Sequence, residues 1–122
     1  MRVTRSTDAP EEPFDQPTFS APVTRRDYGA LEQPRGTALV VSFPAGVRTD
    51  WHSHPDGQVL YIVEGRGRVG TRDGEVAQVA AGDLVYAPPD EQHWHGASED
   101  EPVRHLALSF GDTAWQEPVE EA

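Results

Sequence analysis

Turn-forming residues interrupt the central part of this chain at short, regular intervals. Between residues 37 and 110, runs rich in β-branched and aromatic residues alternate with breaks of Pro, Gly and Asp about every eight to twelve residues, a pattern typical of a β-sandwich or β-barrel. The predicted strands are Thr37–Phe43, Val59–Val63, Arg68–Thr71, Val76–Val79, Leu84–Ala87 and Val103–Phe110. Each run is too short for a stable helix, so we expect an all-β fold. A hairpin is predicted at Asp73-Gly74, since Asp-Gly supplies the positive φ of a tight hairpin turn.

Composition limits the chemistry and the partners of the chain. Its 122 residues allow one domain with a modest core. The absence of cysteine excludes disulfides, thiolate metal sites and a cysteine nucleophile, so any metal must have nitrogen or oxygen ligands. The net charge of −11 has the wrong sign for nucleic acid or an anionic membrane. No apolar run approaches the about 20 residues that span a bilayer, and Met1 is followed by polar residues, so we expect a soluble, cytoplasmic protein.

The first 24 residues predict an arm that differs from the rest of the chain. Its prolines, which disfavour helices and interior strands, are Pro10, Pro13, Pro17 and Pro22. The arm is either disordered or docks Phe14 and Phe19, its large apolar side chains, on its own barrel or on a partner subunit. We therefore divide the chain into a Pro-rich acidic arm over residues 1–24 and a single barrel over residues 25–122.

The histidines are clustered in a way that favours a metal site. They are His52, His54, His93, His95 and His105. Side chains two positions apart on a strand point to the same face, so each His-x-His pair projects together. Pro55-Asp56-Gly57 can reverse the chain and return Gln58 to the first pair. An isolated pair is more often a polar strand face, but two pairs and an amide oxygen favour a divalent metal with two open positions.

The same residues resemble the two signature motifs of the cupins. The first motif is Gly, five residues, His-x-His, three or four residues, Glu, six residues, Gly, and its places are taken here by Gly46, His52, His54, Gln58 and Gly65. The second is Gly, five residues, Pro-x-Gly, two residues, His, three residues, Asn, and its places are taken by Gly82, Pro88, Asp90, His93 and Ala97. The chain departs from the motifs at Gln58, Asp90 and Ala97. The neutral amide of Gln58 compensates less of the charge of a bound ion, which should strengthen its Lewis acidity and weaken its binding.

The resemblance covers residues 36–112. In detail, the chain resembles small single-domain cupins related to carboxymuconolactone decarboxylase and to manganese-dependent hydroxynitrile lyases. It implies a double-stranded β-helix barrel, usually dimeric. One divalent transition metal is implied, Mn²⁺ first, with Fe²⁺, Ni²⁺ or Zn²⁺ as alternatives. The implied ligands are His52, His54, Gln58 and His93. His95 and His105 match histidines that line the pocket of that subgroup.

Strand parity predicts the wall of the pocket. The inward-facing set would include Leu39, Val41, Phe43, Leu60, Ile62 and Ser109. His95 or His105 is the candidate catalytic base, because an imidazole near a divalent ion has a lowered pKa and can take a proton from the substrate. Alternatively, His95 donates to a backbone carbonyl and orients His93, and His105 is a satisfied core histidine.

The leading hypothesis is therefore a metal-dependent enzyme acting on a small-molecule substrate. The resemblance implies lyase chemistry, either cyanohydrin cleavage or a decarboxylase or isomerase reaction. The alternatives are a cupin dioxygenase, a non-catalytic module that binds a small molecule through the metal, and a metal-free barrel. A homodimer is expected because a small barrel gains by covering its edge strands, with the arm as the candidate cover.

Overall fold

A computed structural model describes residues 6–31 and 35–120. A single 3₁₀ turn, Ser6–Asp8, accompanies ten strands in this part of the chain. The strands are β1 (Glu12–Pro13), β2 (Thr24–Leu31), β3 (Gly36–Phe43), β4 (His52–Ser53), β5 (Gln58–Thr71), β6 (Val76–Ala80), β7 (Leu84–Ala87), β8 (His93–Ala97), β9 (Val103–Phe110) and β10 (Ala114–Trp115). The all-β prediction is confirmed. Across the described ranges, no helix has the length and apolar character needed to cross a membrane.

The strands form one curled antiparallel sheet. Their order is β1-β2-β3-β9-β5-β8-β4-β10, with β6 and β7 also paired to β5. β5 belongs to both halves of the sheet, because its first part pairs with β9 and its last part with β8. Gly65 lies between these parts with φ +84°, and a Cβ there would strike the carbonyl oxygen of Pro102. Only glycine therefore fits this bend, which curls the sheet around the site described below.

The predicted strands need one correction. Val59–Val63 and Arg68–Thr71 are parts of the single strand β5, since the bend at Gly65 redirects the strand without ending it. The Asp73-Gly74 hairpin is confirmed between β5 and β6. Gly74 has φ +89°, and its N–H donates to the carbonyl oxygen of Thr71 at 3.1 Å.

The N-terminal segment packs on the chain's own barrel. β1 pairs with β2 at the edge of the sheet, where a proline removes no interior hydrogen bond. The Phe19 ring lies 5.4 Å from Phe14 and 5.6 Å from the buried Phe43, centroid to centroid. The core itself consists of Val23, Val41, Phe43, Val47, Ile62, Ala97 and Val103. Phe14 and Phe19 extend this core to the N-terminal side.

Candidate metal centre

Strand pairing brings three histidines together. His52 on β4 lies directly opposite His93 on β8, and His95 follows two residues later on β8. One ring nitrogen from each of the three side chains lies within 4.8 Å of the other two. All three side chains are buried. Together they could hold a metal ion.

Backbone carbonyls fix the protonation of two of these rings. His52 Nδ1 lies 2.9 Å from the carbonyl oxygen of Asp50, and His93 Nδ1 lies 3.0 Å from that of Glu91. A carbonyl oxygen only accepts, so each Nδ1 is the donor and each Nε2 of a neutral ring keeps its lone pair. Metal-binding histidines are commonly oriented in this way.

Gln58 adds an oxygen to the same place. Its Nε2 donates to Ser109 Oγ at 2.9 Å, and its Oε1 lies 3.0 Å from His93 Nε2. In the neutral His93 ring the proton is on Nδ1, so His93 Nε2 and Gln58 Oε1 are both hydrogen-bond acceptors. No proton lies between these two atoms. Neighbouring ligands of an octahedral ion are also about 3.0 Å apart when the metal bonds are near 2.1 Å. The geometry and donor chemistry of His93 and Gln58 therefore fit a divalent cation.

Several buried ring nitrogens have no hydrogen-bond partner among the described residues. They are His54 Nε2, His95 Nδ1, and both Nδ1 and Nε2 of His105. Leaving such a group unpaired costs about 1–3 kcal/mol, so proteins rarely keep one without a purpose. A bound ion or a polar substrate would give these atoms partners.

The structure brings only part of the implied ligand set close together. His52, Gln58 and His93 converge as described, whereas the ring of His54 lies 5.1 Å from His52 and 5.6 Å from His93, centroid to centroid. The compact histidine group contains His95, which the sequence assigned to catalysis, and not His54. The full set of His52, His54, Gln58 and His93 stays a prediction.

Two turns outside the histidine cluster hold the backbone of His54 in place. Its carbonyl oxygen accepts from the N–H of Gly57 at 3.1 Å and from that of Asp90 at 3.0 Å. Both residues have positive φ, +93° for Gly57 and +65° for Asp90. Asp90 stands where the second cupin motif has glycine, and aspartate is among the side chains that tolerate this conformation. This departure therefore keeps the turn that the motif requires.

Burial keeps every histidine of the site neutral. It lowers the pKa of His52 to about 3, with a further contribution from His93, and lowers the pKa of His105 to about 4. Burial and then His93 lower the pKa of His54 to about 4. The pKa values of His93 and His95 are lowered by burial as well. Near neutral pH the rings therefore offer lone pairs rather than charges.

A cavity of about 130 Å³ adjoins the histidines. Of the predicted wall residues, Leu39, Val41, Phe43 and Ser109 line it, together with His105. Leu60 and Ile62 are buried on β5 but are not part of this lining. Further wall residues are Phe14, Gln16, Phe19, Thr37, Thr113 and Trp115. Of these, Thr37 shares the strand parity of Leu39, whereas the others lie outside the predicted strands. The apolar character of Phe14 and Phe19 in a polar arm was the signal that could have identified two of them.

Replacing Gln58 by glutamate tests whether this side chain is a ligand. A carboxylate adds a negative charge to the site, so Gln58→Glu should bind Mn²⁺ about tenfold or more tightly, as measured by competition with a fluorescent chelator. Ser109→Ala is a second test of the same assignment, because it removes only the hydrogen bond that orients the amide and should weaken Mn²⁺ binding. Equal affinity in wild type and Gln58→Glu would exclude Gln58 from the ligand set.

Comparison with known proteins identifies relatives of this arrangement. Residues 39–109 match the cupin domain family. A cupin-like protein from Thermotoga maritima superposes with a TM-score of 0.83 at 32% identity, over 89% of this chain and 86% of that one. The (R)-mandelonitrile lyase of Granulicella tundricola is 43% identical over 68 residues, which are 56% of this chain and 52% of that protein. The gentisate 1,2-dioxygenase of Ralstonia is 42% identical over 79 residues, 62% of this chain and 22% of that protein. The chain thus spans about half of one curated relative and about a fifth of the other.

Proposed function

The chain belongs to the cupin family, and from that premise we propose that it is a metal-dependent lyase whose reaction is the cleavage of a small cyanohydrin. The observation that carries this proposal is the group of buried, neutral histidines beside a largely apolar cavity. Within the described ranges, His95 and His105 have ring nitrogens without a hydrogen-bond partner. The similarity to a mandelonitrile lyase supports the choice of reaction.

In the proposed site His52, His54, Gln58 and His93 hold one divalent ion, Mn²⁺ by preference. When bound, that ion supplies Lewis acidity toward a hydroxyl or carbonyl oxygen. We assign the fourth ligand position to His54, because its buried Nε2 otherwise has no hydrogen-bond partner in the part of the chain that the structure describes. This choice leaves His95 available for proton transfer.

His95 is proposed to take the proton of the substrate hydroxyl. Its Nδ1 has no hydrogen-bond partner among residues 6–31 and 35–120, and its ring packs against His105 at 5.0 Å between centroids. The hydroxyl carbon becomes a carbonyl carbon as its bond to the nitrile carbon breaks, and cyanide leaves with the electron pair. His105 lies next to His95 on the cavity wall and is suited to guide a proton to the departing cyanide. The products are an aldehyde or ketone and hydrogen cyanide.

A dioxygenase is the second candidate, favoured by the similarity to gentisate 1,2-dioxygenase. Three imidazoles and one amide leave two positions of an octahedral Fe²⁺ site open, which is the requirement for binding substrate and dioxygen together. The two candidates predict different metals and different co-substrates. A non-catalytic binding module would show neither cyanohydrin cleavage nor oxygen consumption.

The decisive experiment is reconstitution of the metal-free protein separately with Mn²⁺ and Fe²⁺. With Mn²⁺ we expect mandelonitrile to be converted to benzaldehyde, followed by ultraviolet absorbance, and we expect His95→Ala to lose activity at least about 100-fold while still binding Mn²⁺. Oxygen uptake with a dihydroxybenzoate by the Fe²⁺ form, without mandelonitrile cleavage, would favour the dioxygenase instead. Binding of substrate without any turnover would leave only the binding module.

A further inference from the structure

The cavity beside the histidines is bounded on one side by aromatic rings that lie outside the buried core. Phe14, Phe19 and Trp115 line it together with Phe43. Phe43 is 1% exposed, whereas Trp115 is 41% exposed and Phe14 and Phe19 are partly buried. These three rings therefore lie between the cavity and water, and we call Phe14, Phe19 and Trp115 the outer wall.

Phe19 is the central ring of the outer wall. Its centroid lies 5.4 Å from that of Phe14, 5.6 Å from that of Phe43 and 6.4 Å from that of Trp115. The three interplanar angles are 71°, 70° and 76°, which is the edge-to-face arrangement that aromatic pairs favour. Phe19 thus packs on the buried core through Phe43 and also contacts both of the other wall residues.

A β-turn places Phe19 at the cavity. The N–H of Phe19 donates to the carbonyl oxygen of Gln16 at 3.1 Å, which closes a turn with Pro17 at its second position. Proline is favoured at this position because its ring fixes φ near about −65°, the value that the turn requires. The proline therefore stiffens the turn that carries Phe19.

Backbone hydrogen bonds on both sides of Phe19 fix this turn to the segment that precedes β4. The N–H of Asp50 donates to the carbonyl oxygen of Thr18 at 2.8 Å. The N–H of Ser20 donates to the carbonyl oxygen of Arg48 at 3.0 Å, and the Arg48 N–H donates to Ser20 Oγ at 2.9 Å. The backbone of Phe19 therefore stays in place unless these bonds break.

The cavity behind the outer wall is small. Its volume is about 130 Å³, whereas small-molecule sites commonly have volumes of roughly 300–1,000 Å³. In so small a space the position of one aromatic ring decides which groups fit, because a close-packed wall accommodates an oversized group only with strain.

We propose that Phe19 sets the upper size limit of the substrate. This inference rests on the proposed function, because it takes the cavity to be the place where the cyanohydrin binds. A cyanohydrin whose side group is larger than the cavity must overlap the ring of Phe19, and the anchored turn prevents that ring from moving aside. Phe19 thus selects against large substrates by steric exclusion.

The test compares two alcohols that carry the hydroxyl of a cyanohydrin but no nitrile to lose, benzyl alcohol and the larger 2-naphthylmethanol. Their binding to the Mn²⁺-loaded protein is measured by isothermal titration calorimetry. The wild type should bind benzyl alcohol at least about tenfold more tightly than 2-naphthylmethanol. Phe19→Ala should reduce this ratio at least about fivefold, because loss of the phenyl ring leaves room for the larger group. Phe110→Ala is the matched control and should leave the ratio unchanged, because Phe110 is also partly buried but lies outside the cavity lining.

The same variants separate the size limit from the lyase proposal. If neither wild type nor Phe19→Ala cleaves mandelonitrile but the binding ratio falls in Phe19→Ala, the lyase proposal fails and the size limit stands. If the wild type cleaves mandelonitrile and the binding ratio is unchanged in Phe19→Ala, the lyase proposal stands and the size limit is wrong.

Two further results would overturn the size limit. One is a wild type that binds both alcohols equally or binds neither, because a size limit requires a cavity that admits the smaller group and excludes the larger one. The other applies if circular dichroism shows that Phe19→Ala does not fold. Phe19→Leu then decides the question, because leucine keeps an apolar contact with Phe43 and should still lower the ratio, and an unchanged ratio in that variant would remove Phe19 from this role.

Discussion

Purified wild-type protein is expected to retain close to one divalent metal ion per chain, and His52→Ala less than about a tenth of that amount. His52 lies opposite His93, and its Nδ1 donates to the Asp50 carbonyl, so its Nε2 is aimed into the cluster. Removing one imidazole from a site with a neutral amide leaves too few donors to retain a transition metal through purification. Elemental analysis of protein purified without a chelator or an affinity tag measures the effect directly. Metal retained in His52→Ala would contradict the assignment.

The same measurement separates the two candidate fourth ligands. His54→Ala should lose the metal and His95→Ala should keep it, if His54 is the ligand and His95 the base. The reverse result would make the compact group of His52, His93 and His95 the ligand set and would remove His95 from proton transfer. Thr113→Ala is a suitable control, because it removes the neighbour at 3.3 Å from His54 Nδ1 without removing a ring.

Local sequence signals predicted the all-β class and five of the ten strands among the described residues, which are β3, β5, β6, β7 and β9. Leu84–Ala87 and Val103–Phe110 have the predicted bounds, because each is a run of strand-forming residues between clear turns. Thr24–Leu31 was not predicted as a strand, since its charged residues and Gly29 give no hydrophobic alternation. Its strand structure depends on pairing with β3, which begins more than ten residues after Thr24. Sequence patterns within a short window do not contain that information.

The sequence indicated which residues lie near the candidate site, but not which of their atoms converge on one point. Spacing and strand parity placed His52, His93 and Gln58 near one another, and the structure brings them together. Parity also puts His95 on the same side as His93, but it cannot say which nitrogens come within bonding reach of one ion. Phe19 reaches the cavity because Asp50 N–H donates to the carbonyl oxygen of Thr18 at 2.8 Å, a contact between distant parts of the chain. Such contacts depend on the folded barrel as a whole.

The metal-free protein should lose several kcal/mol of stability between about pH 7.5 and pH 5. Burial lowers the pKa of His105 to about 4 from an ordinary value of 6.5, so in this range the unfolded chain binds a proton that the folded chain does not. Stability therefore falls as the pH drops below about 6.5 and stops falling near the folded pKa. At pH 5 one such histidine lowers the free energy of unfolding by about 2 kcal/mol relative to pH 7.5. His52 and His54 also have lowered pKa values and add to this loss. Against a typical total of about 5–15 kcal/mol, this loss is large.

Urea unfolding of chelator-treated protein at the two pH values measures the loss, and His105→Leu isolates the share of one residue. His105 is the cleanest choice because neither of its ring nitrogens has a partner in the described part of the chain, so leucine removes the titrating group without breaking a hydrogen bond. The carboxylates are common to both proteins, and their own pH dependence cancels in the comparison. The difference in unfolding free energy between the two pH values should be about 2 kcal/mol smaller in His105→Leu than in the wild type. Equal differences in the two proteins would mean that folding leaves the pKa of His105 at its ordinary value, so that the ring gains its proton in the folded state between the two pH values.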